Sequence, residues 1–293
     1  MTAPGPTSGP SSGAGTPVSA GAPAGVGASD FGALLRYWRG VRHVSQLGLA
    51  SDAATTPRYV SFVETGRSQP SRHMVLRLAR ALDVPLRERN DLLLAAGYAP
   101  VYGLSALGSA ELARVDEALG SMLAQHEPFP AVVLDRGWDV LRANDGAARL
   151  FGTLLAPDPI PPDANVLRMV VGPGPVRDSI VNWPDVVPAL LDRARREAVG
   201  GVADPATAAL VDELRRRPEV REVLAAAPSA GVAPAPVVDV QFAFEGTVVS
   251  FFSVVATIGT PIDVTAQELR LECFFPSTPE SREMWTSVMA GGR

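Results

Sequence analysis

The chain contains no lysine: all 26 of its basic residues are arginine. That absence removes a P-loop lysine, a Schiff-base lysine and a lysine general base together. A single cysteine, Cys273, excludes an internal disulfide framework and any multi-cysteine metal site. Its mid-strand position suits a buried small hydrophobe. Histidine is scarce. His43, His73 and His126 fall at a helix end, on a helix surface and in a connecting segment, with no metal-ligand spacing such as HExxH. No GxSxG elbow occurs, and the prolines of Gly172–Pro173–Gly174–Pro175 remove N–H groups that a phosphate loop needs. No run of about 18 apolar residues is present to span a membrane. Residues 1–29 hold no charged side chain and almost no large apolar one. A signal peptide needs both, so the segment is expected to be a disordered Pro/Gly/Ala/Ser tail and the protein cytoplasmic. Neither catalysis, a cofactor nor a metal is expected.

What is present is a compact set of helix signals over Ser45–Ser71, SQLGLASDAATTPRYVSFVETGRSQPS. They predict two short helices joined by a tight turn, then a glycine stop and a new cap. Residues in a helix advance by about 100°, which puts Tyr59, Phe62 and Val63 on one face of the second helix. Pro57, Arg58 and Ser61 fall opposite, with Glu64 at the edge. A short helix with one apolar side and one small, polar and basic side suits the major groove of DNA. Gln46, at the start of the first of these helices, suits a phosphate contact. Thr55, Thr56, Arg58 and Ser61 are candidates for base edges or phosphates, Arg being the usual guanine reader. Arg67, Ser68 and Ser71 follow in a loop placed to fix docking through phosphate. Glu64 is expected to pair with an arginine, since phosphate repels it.

The wider pattern predicts five helices over residues 30–100. Asp30 caps the first, with Phe31, Leu34, Leu35 and Trp38 as its stripe. Ser45, Thr56 with Pro57, Ser71 and Pro85 open the others. A linking helix is expected over 101–126. AVVLD (131–135) and DVLRAN (139–144) read as a hairpin, and helical segments cover about 164–171, 184–199 and 205–226. VVDVQFAF (237–244), TVVSFFSVVATIG (247–259) and ELRLECFF (268–275) read as three strands. The fold class is α+β, an all-α helix-turn-helix unit of the lambda-repressor type followed by a PAS-like α/β sandwich over 127–285.

Charge follows the same division. The formal net charge is −5, yet residues 31–100 carry ten Arg against five Asp/Glu, and residues 101–293 sixteen Arg against twenty-five. A basic module joined to an acidic one is the asymmetry of a regulator that grips phosphate with one part only.

RYVSFVETGRSQPSRHMVLRLARALDVPLRERNDLLLAAGYAP resembles the XRE-type helix-turn-helix of the MmyB-like transcription regulators. The likeness continues through HEPFPAVVLDRGWDVLRAN, NVLRMVV, VNWPDVVPALLDRARREA and LRLECFFPSTPESR, and covers about residues 30–285. It departs at Ala53-Ala54-Thr55, where such motifs place a glycine. The resemblance implies double-stranded DNA as partner, a homodimer, and a C-terminal domain that binds a small apolar, fatty-acid-like molecule. Phe242, Phe244, Phe251, Phe252, Val254 and Phe274 lie on the strands that would wall such a pocket. Arg168 is the candidate partner for a carboxylate, with Asn182 and Trp183 as an amide beside an aromatic. The competing reading is a sensor whose helical module docks a protein partner instead of DNA.

Overall fold

Four helix starts share one cause: a side-chain oxygen at the N-cap takes a backbone N–H that the helix itself leaves unpaired. Asp30 accepts from Gly32 at 3.1 Å, Ser45 from Gly48 at 3.0 Å, Thr56 from Tyr59 at 3.2 Å and Ser71 from Met74 at 3.3 Å. These caps open α1 (Phe31–Val41), α2 (Gln46–Asp52), α3 (Pro57–Glu64) and α4 (Arg72–Ala81). A fifth helix, α5 (Leu86–Ala95), follows Pro85, which supplies no side-chain cap. The computed structural model describes residues 30–196, 205–226 and 237–291; the 1–29 segment and residues 197–199 of the helix expected over 184–199 lie outside these.

The five helices enclose one core that includes Leu35, Trp38, Leu49, Val63, Leu78 and Leu93. In α3 the buried residues are Val60, Val63 and Glu64, while Tyr59 and Phe62 are half-buried at the flanks. The expected inward face is thus rotated by a fraction of a turn, because α1 packs against the Glu64 side of α3. Gly32 makes that approach possible: a Cβ there would lie 2.6 Å from the Glu64 carbonyl oxygen.

The second unit is built on β1 (Ala131–Leu134), β2 (Val140–Ala143), β3 (Val240–Phe244), β4 (Thr247–Thr257) and β5 (Arg270–Pro276). They form one antiparallel sheet in the order β2-β1-β5-β4-β3, with the last strand inserted at the centre. One face is covered by α7 (Asp145–Leu155), α8 (Val166–Val171), α9 (Pro175–Asp178), α10 (Trp183–Arg196), α11 (Pro205–Arg215) and α12 (Pro218–Ala226). The stretch 205–226 is therefore two helices, and Pro175, expected in a loop, starts a short one. Between β4 and β5 lies α13 (Val264–Glu268), so Glu268 ends a helix and does not begin the strand. A final helix, α14 (Pro279–Met289), sets Trp285 into the core, where its Nε1 donates to the Pro128 carbonyl at 2.7 Å.

The 101–126 segment does more than link. Its helix α6 (Ala113–Gln125) lays Leu119 and Leu123 on Ala131, Val133, Leu269 and Leu271, covering the other face of the sheet. Met122 on the same helix is exposed.

Asn144 ties α6, β1 and α7 together. Its Oδ1 accepts from the amides of Ala131 at 2.8 Å and Ala147 at 2.9 Å, and its Nδ2 donates to the Phe129 carbonyl at 2.8 Å. The residue is 7% exposed, so water cannot replace these bonds. Asn144→Ala is expected to lower the unfolding free energy by about 2–4 kcal/mol in denaturant titrations.

Candidate DNA-binding face and ligand cavity

The outer side of α3 and the loops at its two ends form a continuous polar surface. Thr56, Arg58, Arg67 and Ser71 are exposed, and Thr55, Ser61 and Ser68 half-buried. The Arg58 guanidinium rests 5.2 Å from the Phe62 ring centroid, held along the helix by a cation–π contact. The loop after α3 is pinned from behind, where Gln69 donates to the Ala96 carbonyl at 2.8 Å and the Tyr98 hydroxyl to that of Pro70 at 3.0 Å. At the α2–α3 turn Ala54 takes φ +44°, the position where a glycine is missing. Arg77 of α4 bonds the carbonyls of both Ala53 and Ala54 and so holds that turn from below.

Behind α3 the Glu64 carboxylate joins three helices. Arg39 of α1 donates to it through Nε at 2.8 Å and Nη2 at 3.3 Å, and Gln46 of α2 through Nε2 at 2.7 Å. Arg36 donates to the Glu64 carbonyl at 2.6 Å. Burial acts to raise the Glu64 pKa, but the bonds from Arg39 and Gln46 and the charges of Arg39 and Arg36 outweigh it and hold the carboxyl below its ordinary value.

In the second unit, the inward faces of β3, β4 and β5 and the helices α7, α8 and α10 enclose a cavity of about 450 Å³. Phe151, Val170, Val186, Leu190, Phe242 and Phe274 make it mostly apolar. Its polar wall is Arg193 of α10, which meets both oxygens of Glu272 on β5, at 2.7 and 3.1 Å, with Ser253 alongside. Arg196, one turn further along α10, stands exposed at the cavity and makes no ion pair among the described residues.

The family described as MmyB-like transcription regulator ligand binding domain matches residues 115–286, and a helix-turn-helix domain family matches residues 30–92. The chain belongs to the MmyB-like transcription regulators. Among curated proteins none matches significantly. The ligand-domain match begins inside α6, in keeping with the packing of that helix on the sheet. No helix is long and apolar enough to cross a membrane, and no cluster of three or more metal-ligating side chains occurs, both among the described residues.

In this MmyB-like regulator the residues expected at the ligand site are only partly brought together. Phe242 and Phe274 line the cavity. Phe252 does not: strand alternation turns it to the opposite face, where its ring stacks on Phe275 at 5.7 Å. Val254 points the same way and is exposed. Arg168 is also outside, because α8 turns Leu167, Val170 and Val171 inward. Its side chain is 58% exposed and lies 3.4 Å from Glu213. Asn182 ties the start of α10 to β3 through the Asp239 carbonyl at 2.8 Å and the Gln241 amide at 3.0 Å. Trp183 packs under Arg177 at 4.2 Å and donates to the Val170 carbonyl at 2.9 Å. Neither is among the residues that line the cavity.

The polar groups that do reach the cavity, Arg193, Arg196, Ser253 and Glu272, escaped the sequence reading. A signal existed: Val186, Ala189, Leu190 and Arg193 share one helical stripe, and Glu272 alternates with Phe274. Gln46 sits beside the polar surface of α3 with its amide nitrogen committed to Glu64. Cys273 is half-buried, and burial followed by the nearby Glu272 charge raises its thiol pKa, as expected of an unreactive cysteine.

Because the folded Glu64 carboxyl lies below its ordinary value, the unfolded chain takes up that proton first. Its contribution is complete above the ordinary carboxylate range and is lost as pH falls through the folded value. Glu64→Gln is expected to lower stability by about 1.5–3 kcal/mol at neutral pH and to flatten this acid limb in pH-dependent melts.

Proposed function

We propose that this regulator reads double-stranded DNA with α3, placing Arg58, Thr56 and Ser61 at base edges and Arg67, Ser68 and Ser71 on phosphate. The observation that carries the reading is the state of two arginines. Arg58 on α3 and Arg67 in the loop after it are exposed without an ion pair among the described residues, whereas Arg39, Arg87, Arg136 and Arg193 each grip a glutamate. A homodimer would set two such helices about one turn of DNA apart, roughly 34 Å, on a palindromic site. A protein partner on the same face is not favoured, given the match of residues 30–92 to a helix-turn-helix domain family.

The ligand we assign to the cavity is a small apolar, fatty-acid-like molecule. Its chain would lie against Phe242, Phe274 and Leu190, and its carboxylate at Arg196. The volume of about 450 Å³ falls within the range of small-molecule sites.

DNA selected from a random library tests the first reading. Log affinity is expected to fall linearly with log salt, and Arg67→Ala to reduce the slope by about one. Arg58→Ala is expected to lose about 1–3 kcal/mol and relax the sequence preference at one position. Flat salt dependence would refute phosphate contact. Native mass spectrometry tests the second reading. The wild-type chain is expected to retain a small molecule, and Ala189→Trp, which fills the cavity from α10, to lose it while keeping its fold.

A further inference from the structure

The last helix of the DNA-binding unit is held by the ligand domain. Leu86 donates its backbone N–H to Gln267 Oε1 at 2.7 Å, so the cap that Pro85 lacks comes from 181 residues away. Next to it, Arg87 meets Glu268 with two bonds of 2.7 Å. Glu268 is 7% exposed and also accepts from Arg136 of the β1–β2 turn at 2.7 Å. Arg136 reaches on to Glu88 of α5 at 3.3 Å.

These groups connect to the cavity through continuous contacts. Arg270, which opens β5, donates to the carbonyls of Asp135 and Arg136 at 3.1 and 2.9 Å. Its guanidinium lies 5.3 Å from the Trp138 ring, and that of Arg193 lies 4.8 Å from the same ring. Trp138 is 1% exposed, so both guanidinium groups pack on one fixed indole, and a shift of either changes the packing on it. Arg193 is the cation that neutralises Glu272 in the cavity wall. Glu272 follows Arg270 by two residues on one face of β5, about 7 Å along the strand.

We propose that the Arg193–Glu272 pair and the Gln267–Glu268 hold on α5 are two ends of one switch, joined through Trp138, Arg270 and the 135–136 turn. A ligand carboxylate at Arg196 lies one turn from Arg193 on α10, competes for that guanidinium and leaves Glu272, 5% exposed, short of its countercharge. The pair then rearranges, Trp138 and Arg270 follow, and the turn carrying Arg136 loosens or tightens its hold on Glu268 and Glu88. Ligand occupancy thereby biases how the helix-turn-helix is held, which is the differential interaction that any ligand switch requires. The ligand arm of this proposal rests on reading the cavity as a ligand site; the link between the two ends does not.

Hydrogen exchange at the Leu86 amide of the full chain reads the switch at its far end. Glu272→Gln, which keeps the shape and removes the charge, is expected to lower Leu86 protection about five-fold or more. In a Glu268→Gln background the same change is expected to add nothing. Independent, multiplying effects would overturn the proposal, as would an unaltered Leu86 in Glu272→Gln. Trp138→Phe carries the same expectation and serves if Glu272→Gln does not fold. Dodecanoate, followed by calorimetry, supplies the ligand arm. Binding that changes Leu86 exchange in the wild type but not in Glu268→Gln supports the switch, and binding with no change at Leu86 overturns it. Absence of binding refutes the fatty-acid reading of the cavity, and the variants then decide the switch by themselves.

Discussion

A carboxylate taken out of water must recover its hydration from charge and hydrogen bonds, at a cost of several kcal/mol if it does not. Glu64, Glu268 and Glu272 are all buried, and each is met by an arginine fork: Arg39, Arg87 with Arg136, and Arg193. The planar guanidinium offers two parallel donors to two oxygens, which fixes orientation as well as distance. The first pair aligns α1, α2 and α3. The second joins the DNA-binding unit to the ligand domain, and the third closes the cavity between α10 and β5. The all-arginine basic complement of the chain is thus a structural resource, since a lysine at any of these points would supply a point charge without the fork.

What was legible in the sequence was mostly local. Asp30, Ser45, Thr56 and Ser71 announce helix starts because capping depends on a side chain and an amide two or three residues on. The pairing of Glu64 with an arginine followed from charge alone. The two strands read over 237–244 and 247–259 leave only Glu245–Gly246 between them, and both of these residues take positive φ in the β3–β4 turn. The inward rotation of α3 toward Val60 was not legible, because it depends on how closely α1 approaches at Gly32. Neither was the role of α6, whose apolar stripe was evident but whose partner strands lie far along the chain.

The cavity shows the same limit more sharply. Arg168 and Arg193 are both arginines on short amphipathic helices, and only the packing of each helix decides which points inward. On α8 the apolar residues on either side of Arg168 take the inner face. On α10 the stripe that reaches the cavity ends in Arg193 and Arg196. Phe252 and Phe274 likewise differ only in strand register, and a shift of one residue changes the face. The family likeness anticipated the order of elements and the regulator class, both matched by the helix-turn-helix and ligand-domain families. It did not identify which side chains line the cavity.

The amide of Leu86 bonded to Gln267 means that the DNA-binding unit is not a free-standing cassette. Residues 30–100 carry a complete core, yet the first turn of their final helix is finished by a side chain of another domain. A chimera that moved this unit onto a different sensor would leave α5 without its cap and Arg87 without its carboxylate. The portable piece is the helical unit together with the α13 ledge at 263–268. Engineers recombining such regulators would have to cut around that ledge, not through the segment that follows α5 in the sequence.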